Sequence, residues 1–454
     1  MKTSLIEKYN EPGPRYTSYP TVPYWNNDTF SLASYKKEVV KNFIQNNSSE
    51  GLSLYIHLPF CESMCTFCGC NKRITKKHEV ERPYINALLE EWELYVHLLP
   101  ERPRIKEIHL GGGTPTFFNP DNLEYLIQGL LRRGTLPAKQ EFSFEGHPNN
   151  TTREHLQTLF DLGFRRVSYG VQDYSEVVQK AINRIQPIEN VKKATALARQ
   201  VGFTSVSHDL IFGLPFQTED DIKKSIELTV QMRPERISFY SYAHTPWLKG
   251  NGQRGFKDED LPDAQQKRSQ YNLGKQLLLE AGYVEIGMDH FALPHDTIAK
   301  AAESGRLHRN FMGYTTNGTT MSIGLGVSAI SDTWTAFGQN VKGLEEYYSL
   351  IQNKVLPIYR GHILTQEDLV TRKHILNLMC HFHTSWQAEE TEPRQLADIL
   401  QRLREMEKDE LMYIGEKFVQ ITPRGRAFVR NVCMAFDNYL QRGFNDGKIF
   451  SMTI

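Results

Sequence analysis

The chain has 454 residues, of which 40% are hydrophobic and 23% are charged, as in ordinary globular proteins. Lysine plus arginine and aspartate plus glutamate are equal at 53 each, which excludes a general attraction to nucleic acid or to an anionic membrane. No apolar run reaches the ~18 residues of a spanning helix, and the N-terminus lacks the apolar stretch of a signal peptide. We therefore expect a cytoplasmic protein with no nucleic-acid or membrane partner.

An extended segment is expected near the N-terminus. Residues 14–20 read Pro-Arg-Tyr-Thr-Ser-Tyr-Pro, and the prolines exclude a regular helix or a central strand there. We expect residues 1–50 to form an N-terminal strap that packs over the body of the protein.

Strand-like and amphipathic segments alternate through the first half of the chain. Apolar runs predict six strands, at residues 53–58, 105–110, 141–146, 166–171, 205–213 and 236–243. One buried helical face is predicted from the four-residue spacing of Tyr84, Leu88, Trp92 and Val96. Helix ends are predicted at Asn119 before Pro120, at Thr151 with Glu154, at Gly163, and at Thr218 with Asp221.

Six successive βα units favour a parallel sheet with right-handed crossovers. Because eight units are needed to close a barrel, we expect an α/β fold with a partial, open (β/α)6 barrel, and a doubly wound sheet is the alternative. With extension strands, this domain would cover residues 51–360. Residues 361–454 would form a mostly helical C-terminal domain, with helices at 366–380, 393–408 and 423–440 and a hairpin at 410–422. This order resembles a winged helix, which we expect to act as a structural lid.

A cluster of cysteines follows the first predicted strand. Cys61, Cys65 and Cys68 have C-x3-C-x2-C spacing, and Cys70 comes two residues later. Three thiolates can bind three irons of a [4Fe–4S] cluster and leave the fourth iron open to another ligand. The alternative is a zinc site, but structural zinc usually needs a second pair of ligands, and no second pair is evident.

Polar groups also stand at the ends of the later strands. Gly111–Thr114 follows the second strand and is either a tight turn or a segment that a ligand approaches closely. Glu145, Gln172 and Asp209 end or lie in the next three strands. Since the carboxyl ends of parallel strands meet at one edge of a sheet, we expect these residues to share a polar pocket.

Alternation in the first strand predicts which side chains face the pocket. Leu54, Ile56 and Leu58 share one face and would pack on helices, whereas Tyr55 and His57 share the other. A buried histidine is usually a core residue with both nitrogens hydrogen-bonded, so the residues alone leave the role of His57 open.

The cysteine spacing after a first strand resembles the radical S-adenosylmethionine (SAM) superfamily. Within it, the chain resembles the oxygen-independent coproporphyrinogen III oxidases, also called coproporphyrinogen III dehydrogenases, over nearly its full length. The segments that carry the resemblance are residues 14–20, 55–61, 111–116, 170–173, 209–215, 287–291, 308–311 and 326–331. Those from 170 onward, together with Cys70, are the more specific.

The resemblance implies the site residues and their ligands. Cys61, Cys65 and Cys68 would bind the cluster. The SAM molecule that is cleaved would be lined by Tyr55, Gly112, Glu145 and Ile330. A second SAM molecule would be lined by Phe67, Gly113, Thr114, Gln172, Arg184, Asp209 and Ala243. Tyr55, His57 and Cys70 would lie near the substrate and take part in catalysis.

The implied reaction converts two propionate side chains of coproporphyrinogen III to vinyl groups, giving protoporphyrinogen IX in anaerobic haem biosynthesis. The resemblance also implies a monomeric enzyme that receives electrons from an external donor. Two positions depart from the family: Met312 replaces a glutamine that would contact substrate, and residues 146–148 read Gly-His-Pro. The alternatives are a haem-binding chaperone of the same superfamily, another porphyrin-modifying radical enzyme and a zinc-binding protein.

Overall fold

The structure is a computed structural model that describes residues 4–26, 28–247, 252–253, 255–443 and 449–453. The α-helices are α1 Leu5–Tyr9, α2 Leu32–Asn46, α3 Glu81–Leu98, α4 Pro120–Arg132, α5 Arg153–Asp161, α6 Glu176–Ala181, α7 Ile188–Val201, α8 Glu219–Met232, α9 Ala264–Glu280, α10 Thr297–Glu303, α11 Leu344–Gln352, α12 Gln366–His381, α13 Leu396–Lys408, α14 Val429–Phe436 and α15 Asn438–Gln441. Short 3-10 turns lie at Val22–Tyr24, His78–Val80, Pro115–Phe117, Asp258–Asp260, Glu389–Thr391 and Gly425–Phe428.

The strands are β1 Leu52–Leu58, β2 Phe60–Cys61, β3 Arg73–Ile74, β4 Ile105–Gly112, β5 Glu141–Gly146, β6 Phe164–Gln172, β7 Ser205–Phe212, β8 Arg236–Ser241, β9 Val284–Glu285, β10 His290–Ala292, β11 His308–Asn310, β12 Gly313–Thr315, β13 Ser322–Leu325, β14 Ile330–Asp332, β15 Ala336–Asn340, β16 Ile358–Ile363, β17 His383–Ser385, β18 Met412–Ile414 and β19 Phe418–Ile421. The predicted strands are β1, β4, β5, β6, β7 and β8, and all six are confirmed within a few residues at each end.

One mixed sheet organises the main body. Its order in the described residues is β16-β15-β14-β13-β1-β4-β5-β6-β7-β8-β10-β9, and β13 through β8 run parallel. The six predicted strands are neighbours in chain order, which confirms the open (β/α)6 barrel. The ends of the sheet, β16 and β9, do not pair with each other in the described part of the chain.

The alternation predicted for β1 is confirmed. Leu54, Ile56 and Leu58 are fully buried in the core between the sheet and its helices, and each buried side chain of this kind stabilises the fold by about 1.5–3 kcal/mol. Tyr55 and His57 lie on the opposite face, where the tyrosine hydroxyl is 3.1 Å from His57 Nδ1. The inner face of the barrel therefore begins with two polar aromatic side chains.

The sequence analysis expected extension strands within residues 51–360 but did not locate the individual strands that extend the sheet past β1. β13 pairs parallel with β1, and β14 to β16 continue from it as antiparallel strands. Several of these strands are only three to five residues long and rich in small residues, so their periodicity is too short to detect. They bring Ile330 and Asp332 to the same edge of the sheet as Tyr55.

The C-terminal region has its own core, formed by α12, α13, α14 and a small sheet. The predicted helix at 366–380 is confirmed, whereas the second begins at Leu396 and the third is divided into a 3-10 turn, α14 and α15. The predicted hairpin is β18–β19, and β17 adds a third strand to it. The winged-helix-like order is thus present, and its action as a lid stays a prediction.

Residues from the N-terminal segment pack into this second core. Tyr9, Tyr16 and Tyr19 are buried among its apolar side chains. Arg430 Nε donates to the carbonyl of Pro14 at 2.9 Å, and its Nη2 donates to Gly13. The first 50 residues also contain α2, so the extended part is shorter than that range, and the three-domain division stays a prediction.

Two of the three predicted helix starts are confirmed. Asn119 is the N-cap of α4 with Pro120 as the first helical residue, and Thr218 forms a capping box with Asp221. The third was one residue early, because the capping box of α5 pairs Thr152 with His155 instead of Thr151 with Glu154. Within the described residues, none of the helices has the length and apolarity that crossing a bilayer requires.

Candidate active site

The carboxyl end of β1 leads through β2 into the cysteine loop. β2 pairs with β3, and the Thr75 N–H donates to the Cys61 carbonyl at 2.9 Å, so both ends of the loop are fixed. Cys61, Cys65 and Cys68 are half-buried, and Cys70 is exposed. The loop therefore stands over the carboxyl edge of the parallel sheet, as its position after the first strand predicted.

Hydrogen-bond donors approach two of the sulfur atoms from neighbouring strands and loops. Thr114 Oγ1 donates to Cys61 Sγ at 3.3 Å. Arg184 Nη1 lies 3.7 Å from Cys65 Sγ. Donors of this kind stabilise thiolates, the form of cysteine that binds metals.

Cys61 and Cys68 differ in acidity because their surroundings differ. Burial raises the pKa of Cys61 to about 11. A hydrogen bond with Cys70 lowers the pKa of Cys68 to about 6, and the nearby charge of Lys72 acts in the same direction. Lys72 Nζ also donates to the Cys68 carbonyl at 3.1 Å. A cation is thus built into the loop beside Cys68, the thiol whose pKa is lowered.

Two adjoining cavities open beneath the loop, and we call them the cluster cavity and the strand cavity. The cluster cavity has a volume of about 350 Å³. Of the site residues predicted from the sequence, those that line it are Cys61, Cys65, Phe67, Cys68, Cys70, Gly112, Gly113, Thr114, Glu145, Gln172, Arg184 and Asp209. The strand cavity has a volume of about 290 Å³ and is lined by Tyr55, His57, Cys70, Gly112, Glu145, Met312 and Ile330, among others. Both volumes are in the range of small-ligand sites.

The donor set suits an iron–sulfur cluster, in which each cysteine binds a different iron. Cys61, Cys65 and Cys68 line one cavity of cofactor size, as that arrangement requires.

Glycine is required at position 112, where β4 ends. Its φ is +109°, and an added Cβ would lie 2.7 Å from the His57 ring. The Gly112 N–H donates to Glu145 Oε2 at 3.2 Å. The backbone is therefore turned toward both cavities, which favours the close-approach interpretation of this segment over a simple surface turn.

Glu145 is a carboxylate shared by the two cavities. Burial alone would raise its pKa, but the hydrogen bond and charge of His109 and the Gly112 N–H hold that pKa below its ordinary value. His109 Nε2 lies 3.4 Å from Glu145 Oε1. Glu145 is therefore ionised at neutral pH and able to accept hydrogen bonds from an amino or hydroxyl group of a ligand.

Asp209, Gln172 and Arg184 also line the cluster cavity. Burial raises the pKa of Asp209 to about 6, although Ser238 and Ser168 hydrogen bonds oppose that rise. Gln172 has a φ of +69°, a conformation that non-glycine residues seldom adopt and that occurs at functional sites. The pocket predicted from three successive strand ends is present.

The hydrogen bonds of His57 fix its neutral form and tautomer. Its Nε2 lies 2.8 Å from the Asn71 carbonyl and must donate to it, which leaves Nδ1 to accept from the Tyr55 hydroxyl. Burial lowers the pKa of His57. Both ring nitrogens are therefore occupied before any ligand binds.

One predicted residue lies apart from the others. Ala243 lines neither cavity. Gln253 Nε2 donates to the carbonyls of both Ala243 and Phe67, at 2.9 and 3.0 Å, which holds Ala243 beside the cluster cavity. Its backbone position is close to the site, and its contact with a ligand stays a prediction.

Several lining residues were missed by sequence reasoning. Lys72, His147, Asn149, Asn183 and Tyr240 line the cluster cavity, and His109, Asn310 and Asp332 line the strand cavity. His109 had a usable signal, because it alternates with Ile108 and Leu110 in β4 and so shares the inward face. Tyr240 had a similar signal in β8, where it alternates with the buried Ile237 and Phe239. The others lie in loops or in three-residue strands without periodicity.

Comparison with known proteins agrees with this geometry. The Radical SAM superfamily matches residues 55–229. Oxygen-independent coproporphyrinogen III oxidases match the chain at 40% identity in Salmonella typhimurium and at 38% in Escherichia coli, each over 97% of this chain and 95% of the relative. That of Helicobacter pylori strain 26695 is 37% identical over 100% of both chains.

The chain belongs to the oxygen-independent coproporphyrinogen III oxidases. A solved structure supports this: coproporphyrinogen III oxidase (HemN) from Escherichia coli, a radical SAM enzyme, superposes with a TM-score of 0.88 at 38% identity, covering 94% of this chain and 98% of the other. Coproporphyrinogen III oxidases of this kind depend on a [4Fe–4S] cluster and SAM, so the chain is an enzyme with those cofactors.

Proposed function

We propose that this chain oxidatively decarboxylates two propionate side chains of coproporphyrinogen III and so forms protoporphyrinogen IX in anaerobic haem biosynthesis. At each propionate, a hydrogen atom leaves the β-carbon, carbon dioxide leaves the carboxylate, and one electron passes to an external acceptor, which gives a vinyl group. The observation that carries this proposal is the pair of adjoining cavities, joined at Cys70, Gly112 and Glu145.

Cys61, Cys65 and Cys68 would hold the cluster. When bound, the cluster and SAM together supply the 5′-deoxyadenosyl radical that abstracts hydrogen from substrate. Arg184 and Thr114 would favour the thiolate forms of Cys65 and Cys61 through the contacts described above. The loop would exclude water from the region between the sulfur atoms and the strand ends.

The two sets of proposed SAM contacts separate between the cavities. Gly112 and Glu145 lie at the junction, and Tyr55 and Ile330 line only the strand cavity. The remaining set lines the cluster cavity except for Ala243: Phe67, Gly113, Thr114, Gln172, Arg184 and Asp209. This separation supports one molecule at the junction and a second in the cluster cavity.

His57 and Tyr55 would position the reacting groups. Because both His57 nitrogens are already hydrogen-bonded, the ring can orient the Tyr55 hydroxyl but has no free nitrogen for proton transfer. Cys70 is the thiol that lines both cavities without belonging to the three-cysteine motif. We assign Cys70 to the substrate side of the junction.

The remaining expectations concern the cellular setting. We propose a cytoplasmic monomer that receives electrons from an external donor. The even charge balance gives no support to a nucleic-acid or membrane partner.

The test is an anaerobic assay of the iron-reconstituted protein with reductant, SAM and coproporphyrinogen III, with products identified by mass. Two successive losses of carbon dioxide per porphyrinogen would establish the proposed activity. Haem binding without decarboxylation would favour a chaperone of the same superfamily. A methylated or ring-opened product would indicate a different porphyrin-modifying enzyme.

A further inference from the structure

A third cavity lies beside the first two, at the carboxyl ends of β7 and β8. We call it the basic cavity; its charged lining residues are Arg15, Lys267, Arg268, Arg430 and Asp289. Among the described residues, four cations thus face one carboxylate in a space whose volume is about 60 Å³. A single water needs about 10–15 Å³ on the same measure, so a carboxylate group fits, whereas a tetrapyrrole does not.

Asp289 cannot balance this charge alone. Its Oδ1 lies 2.7 Å from His290 Nδ1, and the charges of Arg309 and Arg15 also act on it. The next carboxylate, Glu285, is already paired with Lys275 at 2.6 Å and Arg426 at 3.2 Å. The described residues of the lining therefore carry an excess of positive charge.

One nitrogen in the wall lacks a partner among the described residues. Arg15 Nη2 donates to the Ser241 carbonyl at 2.5 Å, but no described group accepts a hydrogen bond from its buried Nε. Burial, with the charges of Arg15 and Arg430, lowers the pKa of Lys267 to about 7. An oxyanion in the cavity would supply an acceptor to Arg15 and restore the charge of Lys267.

Arg430 and Arg268 have different roles in the wall. The hydrogen bonds of Arg430 go to backbone carbonyls of the N-terminal segment and the C-terminal tail. The Arg268 guanidinium lies over the rings of Tyr271 and Phe428, 5.1 and 5.8 Å from their centres. Arg430 thus builds the wall, whereas Arg268 can be changed without releasing a backbone segment.

The basic cavity is joined to the cluster cavity by a short hydrogen-bonded chain. Asp289 contacts His290, and His290 Nε2 lies 3.4 Å from the hydroxyl of Tyr240, which lines the cluster cavity. Ser241, whose carbonyl accepts from Arg15, is the residue after Tyr240. Both cavities therefore open at the same edge of the sheet.

We propose that the basic cavity binds a propionate carboxylate of the porphyrinogen that is not the one reacting. This inference rests on the proposed function. Coproporphyrinogen III carries four propionates around its rim, and only one reacts at a time, so the others need cationic partners when they leave water. Holding a distant carboxylate would fix which ring is presented to the radical.

The test compares Arg268→Gln with Arg268→Lys, and uses Lys224→Gln, an exposed cation of the neighbouring α8, as the matched charge control. The dissociation constant for coproporphyrinogen III is measured anaerobically on cluster-loaded enzyme by fluorescence titration. We expect Arg268→Gln to weaken binding roughly 10-fold, Arg268→Lys less than about threefold and Lys224→Gln not at all. Lys267→Met should weaken it to a similar degree as Arg268→Gln.

Unchanged binding in both Arg268→Gln and Lys267→Met, with wild-type circular dichroism and melting, would overturn the proposal. A second arm titrates wild-type enzyme with sodium acetate. If acetate binds through Arg268 but does not compete with coproporphyrinogen III, the cavity takes a free anion and the proposal fails. If wild-type enzyme binds porphyrinogen through Arg268 but does not decarboxylate it, the proposed function fails and this inference stands.

Discussion

Arg184 Nη1 lies 3.7 Å from Cys65 Sγ, which places a permanent cation against one of the three cluster cysteines. The same guanidinium donates from Nη2 to the Gly170 carbonyl at 2.5 Å, at the end of β6. Arg184 therefore ties the cysteine loop to the strand edge that lines the cluster cavity. Arg184 lies between α6 and α7 and not on a helix as its sequence context predicts, and the sequence alone gives such an arginine no special weight.

Replacing Arg184 separates its charge from its bridging geometry. We expect Arg184→Met to lower the rate of SAM cleavage roughly 10- to 100-fold, because a charge-assisted hydrogen bond of about 1.5–3 kcal/mol is lost. Arg184→Lys keeps the charge but cannot contact Cys65 and the Gly170 carbonyl at once, so its rate of SAM cleavage should lie between those of the wild type and Arg184→Met. The measurements are 5′-deoxyadenosine formation and iron per chain. Wild-type rates in Arg184→Met would show that the contact has no part in the site.

The cysteines of the loop should divide into two classes. We expect Cys65→Ser to lose both bound iron and turnover, because a serine oxygen is a poor replacement for a thiolate iron ligand. Cys70→Ser is the matched control on the same loop: it should retain iron and lose decarboxylation. Iron analysis and the anaerobic assay distinguish the two. Full activity in Cys65→Ser would contradict the cluster assignment, and loss of iron in Cys70→Ser would make Cys70 a ligand.

The parts of the fold that were predictable are those with long periodic segments. β1, β5 and β7 are six to eight residues long, with apolar residues at regular spacing, and their bounds were predicted within one residue. β13 to β15 are three to five residues long and were not resolved individually from the sequence. Because β13 pairs with β1 across more than 260 residues of chain, no local pattern indicates that contact.

The site divides in the same way. Cys61, Cys65 and Cys68 were identified because their spacing is a local property of the sequence. The basic cavity was not, because Arg15, Lys267 and Arg430 come from three distant segments that meet only in the folded chain. The hydrogen bonds that occupy both nitrogens of His57 were equally hidden, since one partner is the backbone carbonyl of Asn71.

Met312 lines the strand cavity beside Phe311 and Ile330, where related enzymes are expected to have glutamine. A thioether offers shape and polarizability but no amide hydrogen bonds. We expect Met312→Gln to change kcat/KM for coproporphyrinogen III by less than about threefold. A hydrogen bond from the new amide to the substrate would replace hydrogen bonds to water, so its net contribution is only about 0.5–1.5 kcal/mol. Met312→Ala, which removes the apolar wall, should raise KM by more. A tenfold gain in Met312→Gln would show that this chain lacks a substrate contact.

A pH effect on stability is expected from Glu91, a residue of α3 that is buried against the segment following β13. Its carboxylate accepts from the Gly326 N–H, Asn340 Nδ2 and the Tyr347 hydroxyl at 2.8, 2.7 and 2.6 Å. Burial nevertheless raises its pKa from 4.5 to about 7. Since the folded state holds this proton more tightly than the unfolded state, its stabilisation is fully present below about pH 4.5 and is lost as pH rises through about 7.

Comparison with Glu91→Gln isolates that contribution, because the amide does not titrate. The free energy of unfolding of the wild type relative to Glu91→Gln should fall between pH 5 and pH 8, by on the order of 3 kcal/mol at most. Glu90→Gln, its exposed neighbour, is the control and should show no such trend. Denaturant titrations at the two pH values measure both differences. A wild-type advantage that grows with pH would mean that the three hydrogen bonds outweigh burial and that Glu91 is ionised in the folded protein.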